Sequence, residues 1–462
     1  MKKLKLAKSM PTSIVAVLII VSVLALSIFA AVNFIPSVNT PDANANDEYI
    51  TATGVPVYVP EKRTYMRPEE TYEGVQGIIL RSVASAVNVS DISGTQVTDY
   101  MIVADSTSPA SAISALKAAG INAWISVPLT DIDAAMVSTV TNILAANDVD
   151  GIELDFCGMP SNPGEANSDI DAITAFMTDV RDVINDYEAT RGHEIKLSAK
   201  VYCDINTNYG YGIDVAAWVA ADLVDMITPS SGSSYTNTDM AIRLWASLLD
   251  PYGVVLAPHI GGIIKNYESE TTTTAQTKET LAGEAVFAIS QGADKVSVET
   301  YLDDKSILKT IGSYDTVMKV DRTHFVSYNS VRQPWTSAYN PLPAMFGREI
   351  KVIDEKWQTV VTKANFRIPM GDVPKGATVK VRITYDTAYS KFSSPSPSVY
   401  VNSKECTGRT PVGSSSSNSF TTFEYNVPTA ALNGGYAVIE FIPASSYNTY
   451  TLTCVQIIVD VP

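Results

Sequence analysis

Glu153 and Asp155 stand two residues apart in the run Asp150-Gly-Ile-Glu-Leu-Asp-Phe156. If that run is a strand, both side chains leave the same face, with Cα atoms ~6.6 Å apart. Ile152, Leu154 and Phe156 then share the opposite face. Two acids facing inward are costly to bury without partners, so packing alone gives little reason for them. Paired carboxylates suit cleavage of a glycosidic bond. One donates a proton to the leaving oxygen, and the other attacks the sugar or activates water; separations of ~5–5.5 Å go with retention and ~6.5–9.5 Å with inversion. Glu299, late in another apolar run, is the expected second catalytic group beside Asp155 and Glu153. The plain alternative is a structural ion pair, in which Lys200 neutralises Glu153 or Asp155.

Such acids need a scaffold that brings distant parts of the chain to one place. Between residues 73 and 315, short runs rich in Val, Ile and Leu alternate with longer helical stretches. That is the pattern of βα units and a parallel sheet. The runs are 75–81, 100–105, 123–129, 151–156, 196–202, 224–229, 254–259 and 295–301. Helical segments are expected at 110–119, 133–146, 169–188, 215–221, 238–249 and 276–291, with none clear in the first crossover, 82–99. Eight strands predict a (β/α)8 TIM barrel, with an open doubly wound sheet as the rival. A barrel carries its chemistry at the C-terminal ends of its strands. That rule adds Arg81, Asp105, Lys200, Tyr202, His259 and Tyr301 as substrate-binding candidates. The loop after the fifth run carries Asn206, Asn208, Tyr209 and Tyr211, residue types that stack on sugar rings and bond to their hydroxyls.

The rest of the chain sets the context. Lys plus Arg number 33 and Asp plus Glu 49, a net charge of −16, which argues against a nucleic-acid partner. Hydrophobic residues are 46% and charged ones 18%, enough for a large core and against a disordered chain. Three His and four Cys are too few for a zinc cluster, and no cofactor is implied. Lys2, Lys3, Lys5 and Lys8 precede an uncharged run, 14–35, of about 22 residues, enough to span ~30 Å of hydrocarbon. It is longer than the ~7–15 apolar residues of a cleaved signal. Residues 1–35 are therefore expected to be an N-terminal transmembrane anchor or signal, leaving the body on the extracellular side of the membrane or, if cleaved, secreted. Residues 36–72 and 316–344 read as linkers, and 345–462 as an all-β sandwich of jelly-roll type. In an exported chain disulfides are admissible: Cys406 with Cys454, and Cys157 with Cys203 across the barrel rim.

Val149-Asp-Gly-Ile-Glu-Leu-Asp-Phe156, then Pro160, resembles the fourth-strand signature of (β/α)8 glycoside hydrolases, also called glycosyl hydrolase-like proteins. Leu197-Ser-Ala-Lys-Val201, Trp218 with Leu223-Val-Asp-Met-Ile-Thr-Pro-Ser230, and Gly292-Ala-Asp294 resemble the same group in the same order. That group tends to carry a C-terminal β-sandwich with a Val-Asn-Gly type of turn, which Val401-Asn-Ser403 and Tyr425-Asn-Val-Pro428 resemble. The likeness covers roughly residues 73–462. It implies a hydrolase, or a carbohydrate-binding relative, acting on extracellular polysaccharide or glycan. This chain also departs from the pattern. Cys157-Gly158-Met159 lies where a basic residue is common, and Lys200 where Arg is usual. The acidic strand is similar to that of family 18 chitinases too, but Cys157 occupies the place of their catalytic Glu. The alternative reading is therefore a non-catalytic glycan-binding or envelope protein on a degenerate barrel.

Overall fold

The computed structural model describes residues 49–50, 56–57, 76–129, 132–158, 170–232, 236–265, 273–299, 302, 304–327, 358–360, 364–386, 396–414, 420–432, 435–442 and 450–462. The expected anchor, 1–35, lies outside the described residues, as do Pro160 and Tyr301. Among the described residues, no helix is long and apolar enough to cross a membrane. The chain divides into two units, Met1–Val59 and Pro60–Pro462. The first contributes one antiparallel strand pair, Tyr49–Ile50 with Pro56–Val57.

The second unit begins with a nine-stranded parallel sheet. Its strands are β1 Ile78–Val83, β2 Val97–Val103, β3 Asn122–Pro128, β4 Gly151–Asp155, β5 Lys196–Tyr202, β6 Met226–Ser230, β7 Val255–Leu256, β8 His259–Ile260 and β9 Val296–Glu299. The spatial order is β8-β9-β1-β2-β3-β4-β5-β6-β7. Its two end strands are therefore one stretch of chain, interrupted only by Ala257-Pro258. Pro258 has no N–H to give a ladder. At this break the chain changes partner: Ala257 N donates to Ile227 O at 2.9 Å, and Ser297 N donates to Pro258 O at 3.0 Å. The sheet curls until its ends meet, in a TIM-barrel-like arrangement with the expected strands in the expected order. The first crossover holds only a 3-10 turn, Ala84–Ala86, and one helical turn, Val89–Ile92.

The two-residue alternation of each strand separates two cores. Ile78, Leu80, Ile152, Leu154, Leu197, Val296 and Val298 pack outward with the surrounding helices. Ile79, Met101, Trp124, Met226 and Ala257 form a separate apolar layer inside. Trp124 Nε1 donates to Asp99 Oδ1 at 3.0 Å, and Lys295 pairs with Asp99. Met1 to Val59 aside, the remaining described chain is antiparallel. One sheet runs Arg322–Ser327, Tyr450–Asp460, Thr378–Asp386, Phe420–Asn426, Thr407–Ser414; the other runs Ala364–Pro369, Tyr436–Ile442, Ser398–Val401, Lys404–Glu405. Both sheets contribute to one core, including Ile383 and Ile457 from the first and Phe366 and Ile439 from the second. Arg322–Ser327 falls in the span read as a linker, yet pairs along Tyr450–Asp460 from Arg322↔Val459 to Ser327↔Cys454.

Candidate functional site

Above the apolar layer, toward the C-terminal ends of the strands, the inward positions turn polar. Strand register sets Arg81 beside Glu299, Ser126 beside Glu153, Asp155 beside Lys200, Lys200 beside Thr228 and His259 beside Ser297. All three candidate acids therefore come to one end of one sheet.

None of the three stands unengaged. Glu153 is fully buried: Ser126 Oγ donates to its Oε1 at 2.7 Å, and Arg81 Nη2 forms an ion pair with its Oε2. Arg81, expected to bind substrate, is instead 2% exposed and occupied by this pair. Its Nε donates to Ser297 Oγ at 2.8 Å, and the same hydroxyl lies 3.3 Å from His259 Nδ1. His259 Nε2 lies 3.3 Å from Glu299 Oε1; a carboxylate there places the proton of the neutral ring on Nε2, so Nδ1 accepts from the Ser297 hydroxyl. Burial lowers the His259 pKa, with Lys200 and Arg81 adding to the effect against Glu299, so the ring is neutral at neutral pH. Burial pushes the Glu299 carboxyl up, but His259, Arg81 and Lys200 together hold it below its usual range.

The outer pair is built the same way. Lys200 Nζ donates to Asp155 Oδ2 at 2.9 Å, and the Cys157 amide donates to Asp155 Oδ1 at 2.9 Å. Burial pushes the Asp155 carboxyl up, and Lys200, Arg81 and that amide overcome it, leaving the group below its usual range. Burial, with Asp155 beside it, raises the Cys157 thiol well above its ordinary value. A thiol so raised is a poor nucleophile at neutral pH.

The remaining expected residues divide. Tyr202 is buried, its hydroxyl donating to the Cys157 carbonyl at 3.4 Å, and so is not a rim contact. Asp105 is exposed and accepts from Thr107 N at 2.7 Å, a local turn rather than part of the network. No disulfide joins Cys157 to Cys203 or Cys406 to Cys454; all four are thiols. Cys203 Sγ accepts from Asn237 Nδ2 at 3.1 Å. Cys406 packs in the sandwich core, whereas Cys454 is paired with Thr384, out of step with the core-facing Val455 and Ile457. Of the loop residues, Asn208 is buried and bonded to both backbone groups of Tyr202, at 2.8 and 2.7 Å, and Tyr211 is buried. Asn206 and Tyr209 are exposed on the short helix Ile205–Gly210. Three residues apart, they share a face. Sequence reasoning missed Ser126, which bonds Glu153, and Ser297, which joins Arg81 to His259; small inward polar residues at the level of the acids were the available signal. Among the described residues, no group of three His, Cys, Asp or Glu could hold a metal.

The sequence matches no family model and no curated protein. Solved structures do resemble it. A glycoside hydrolase family 18 N-acetylglucosaminidase from Paenibacillus barengoltzii is 10% identical over 48% of this chain and 94% of its own, with a TM-score of 0.35. The PgaB (BpsB) glycoside hydrolase domain from Bordetella bronchiseptica is 10% identical over 52% and 99%, with a TM-score of 0.38. A family GH18 chitinase from Chromobacterium violaceum is 10% identical over 91% and 93%, with a TM-score of 0.34. These are glycoside hydrolases of the kind the strand motifs resemble; what the mouth of this sheet does is decided by its own residues.

Proposed function

We propose that this chain is a glycoside hydrolase-like protein that binds extracellular or cell-surface glycan at the mouth of its barrel without cleaving it. The observation that carries the reading is the state of the three acids. Glycosidic cleavage needs a carboxyl that keeps its proton near neutral pH, and therefore a raised pKa. Asp155 and Glu299 are shifted the other way, each held by a basic or donating partner. Glu153 has both oxygens occupied by Ser126 and Arg81. Cys157 stands where the family 18 motif would supply the acid.

Saccharide binding is supported by Asn206 and Tyr209. An exposed aromatic ring offers a stacking surface, and the amide on the same helix face can pair with hydroxyls. The net charge of −16 favours a neutral or cationic glycan over a polyanionic one. The uncharged run 14–35 behind four lysines supports export and anchoring, with no nucleic-acid role.

Titration calorimetry of the full chain against neutral oligosaccharides, with product analysis of the same samples, tests the proposal. Binding heat without new reducing ends is expected, and Tyr209→Ala should weaken binding about ten-fold. Turnover that disappears in Asp155→Asn or Glu299→Gln would establish the hydrolase instead. Unchanged affinity in Tyr209→Ala would move the binding surface elsewhere.

A further inference from the structure

Three side chains tie the loops at the mouth to the helix Lys278–Ser290. Thr236 Oγ1, in the loop after β6, donates to Glu284 Oε2 at 2.6 Å. Gln276 Nε2 donates to Thr236 Oγ1 at 2.9 Å and to the Gly261 carbonyl at 2.6 Å. That second contact fixes the amide: its oxygen cannot face a carbonyl at such a distance. Gln276 Oε1 must then point elsewhere, and it is buried with no donor. Glu284 Oε1 is likewise buried and unpartnered, although the Gln276 amide lies within bonding reach of this carboxyl. Both side chains bond to Thr236 Oγ1; an orphan acceptor on each is unfavourable, and a single proton shared between them satisfies both.

We propose that Glu284 is a neutral carboxylic acid that donates from Oε1 to Gln276 Oε1. This closes a ring of hydrogen bonds, Glu284 to Gln276 to Thr236 to Glu284, that pins two mouth loops, and ionising Glu284 releases them. The loops are held at their bases. Thr236 N donates to Ile263 O at 3.0 Å and Gln276 N to Gly262 O at 2.9 Å. Both contacts lie at the root of the hairpin Ile263–Lys265 with Thr273–Ala275, which follows β8. Glu284 is thus a positioning residue for the mouth, acting through Gln276 and Thr236.

The surroundings favour the neutral form. Burial raises the Glu284 pKa to about 8, the hydrogen bond from Thr236 opposes it, and no charged side chain contributes. The adjoining cavity is lined by uncharged residues, among them Asn237, Met240, Ile260 and Phe287. From the sandwich, His324 abuts Gly283 of the same helix, and burial lowers its pKa to about 3, so it is neutral. Arg322 lies two residues away on that strand, and Arg367 is engaged with Asp239 of the loop after β6. On the helix itself, Lys278 reaches Asp304 at 3.9 Å and Glu279 is half-buried.

Glu284→Gln tests the proposal, because its amide can donate to Gln276 Oε1 at every pH. A carboxyl whose pKa is raised on folding keeps a proton that the unfolded chain has lost, so wild-type stability falls as pH rises between 4.5 and about 8. The expected result is a wild-type urea midpoint that declines relative to Glu284→Gln across this window by the linkage of one proton, then runs parallel above it. Amide exchange at Thr236 and Gln276, compared at equal pH, should be faster in wild type than in the variant at about pH 9 and equal at about pH 6. Infrared spectra of the wild-type chain should show one protonated carboxyl near neutrality that is lost by about pH 9. A pH-independent difference between the two proteins, or no protonated carboxyl in the wild-type spectrum, would overturn the proposal. The spectrum decides it even if the variant does not fold.

Discussion

Arg81 and Glu153 are 2% and 0% exposed, so neither can turn to water when the other is removed. Their attraction has to offset the desolvation of both, and the bonds from Ser126 and to Ser297 make that possible. Truncating one partner should cost much more than the pair itself contributes. Glu153→Gln leaves a buried guanidinium without its counter-charge and is expected to lower stability by about 3–5 kcal/mol, read from the denaturation midpoint. A loss below about 1 kcal/mol would mean that Arg81 finds another partner or reaches solvent. Asp155 and Glu299 add a pH signature. Their folded pKa values are depressed, so their contribution is present above the unfolded carboxylate pKa and fades as pH falls through the folded one. For these residues, weakening belongs on the acid side of about pH 4, the opposite end of the scale from Glu284.

A strand has two faces, and the barrel uses them for separate purposes. In β4, Ile152 and Leu154 face the helices while Gly151 and Glu153 face inward. Gly151 lies beside Trp124, and a Cβ there would overlap the indole ring. The glycine is therefore required for space. Gly151→Ala should expel Trp124 from the inner layer, break its bond to Asp99 and cost about 1–3 kcal/mol, visible as a red-shifted tryptophan emission with a lower midpoint. Strand order was legible in the sequence because each run of β-branched residues is local: β5 at 196–202 has its expected bounds. Two features depended on distant partners and were not. Arg81 is 72 residues from Glu153, and nothing near it shows that it will close an ion pair rather than meet a ligand. Arg322–Ser327 stands in a span beside Pro334, Pro341 and Pro343 and becomes a strand because Tyr450–Asp460 pairs with it. The Asp155–Lys200 pair lay between adjacent strands at matching register, and the sequence had already offered it as the structural alternative.

The barrel and the sandwich meet along the helix Lys278–Ser290, the same helix that carries Glu284. Phe287 packs edge-on against Tyr436 with ring centroids 5.9 Å apart, and Arg367 bonds both oxygens of Asp239, at 3.2 and 2.9 Å. A close approach is at Gly283, where a Cβ would run into the Thr323 carbonyl of the strand Arg322–Ser327. A glycine inside a helix costs about 1 kcal/mol relative to alanine, so helix propensity opposes it here and docking requires it. Two folded bodies joined through so close a contact should unfold together, whereas loosely joined ones unfold separately. The full chain is expected to show a single calorimetric transition for this unit. Gly283→Val should force the helix off the strand and split that transition in two, read as two peaks in the calorimetric scan. A single unshifted transition in Gly283→Val would show that the two bodies are coupled elsewhere and that the helix is no more than the outer wall of the barrel.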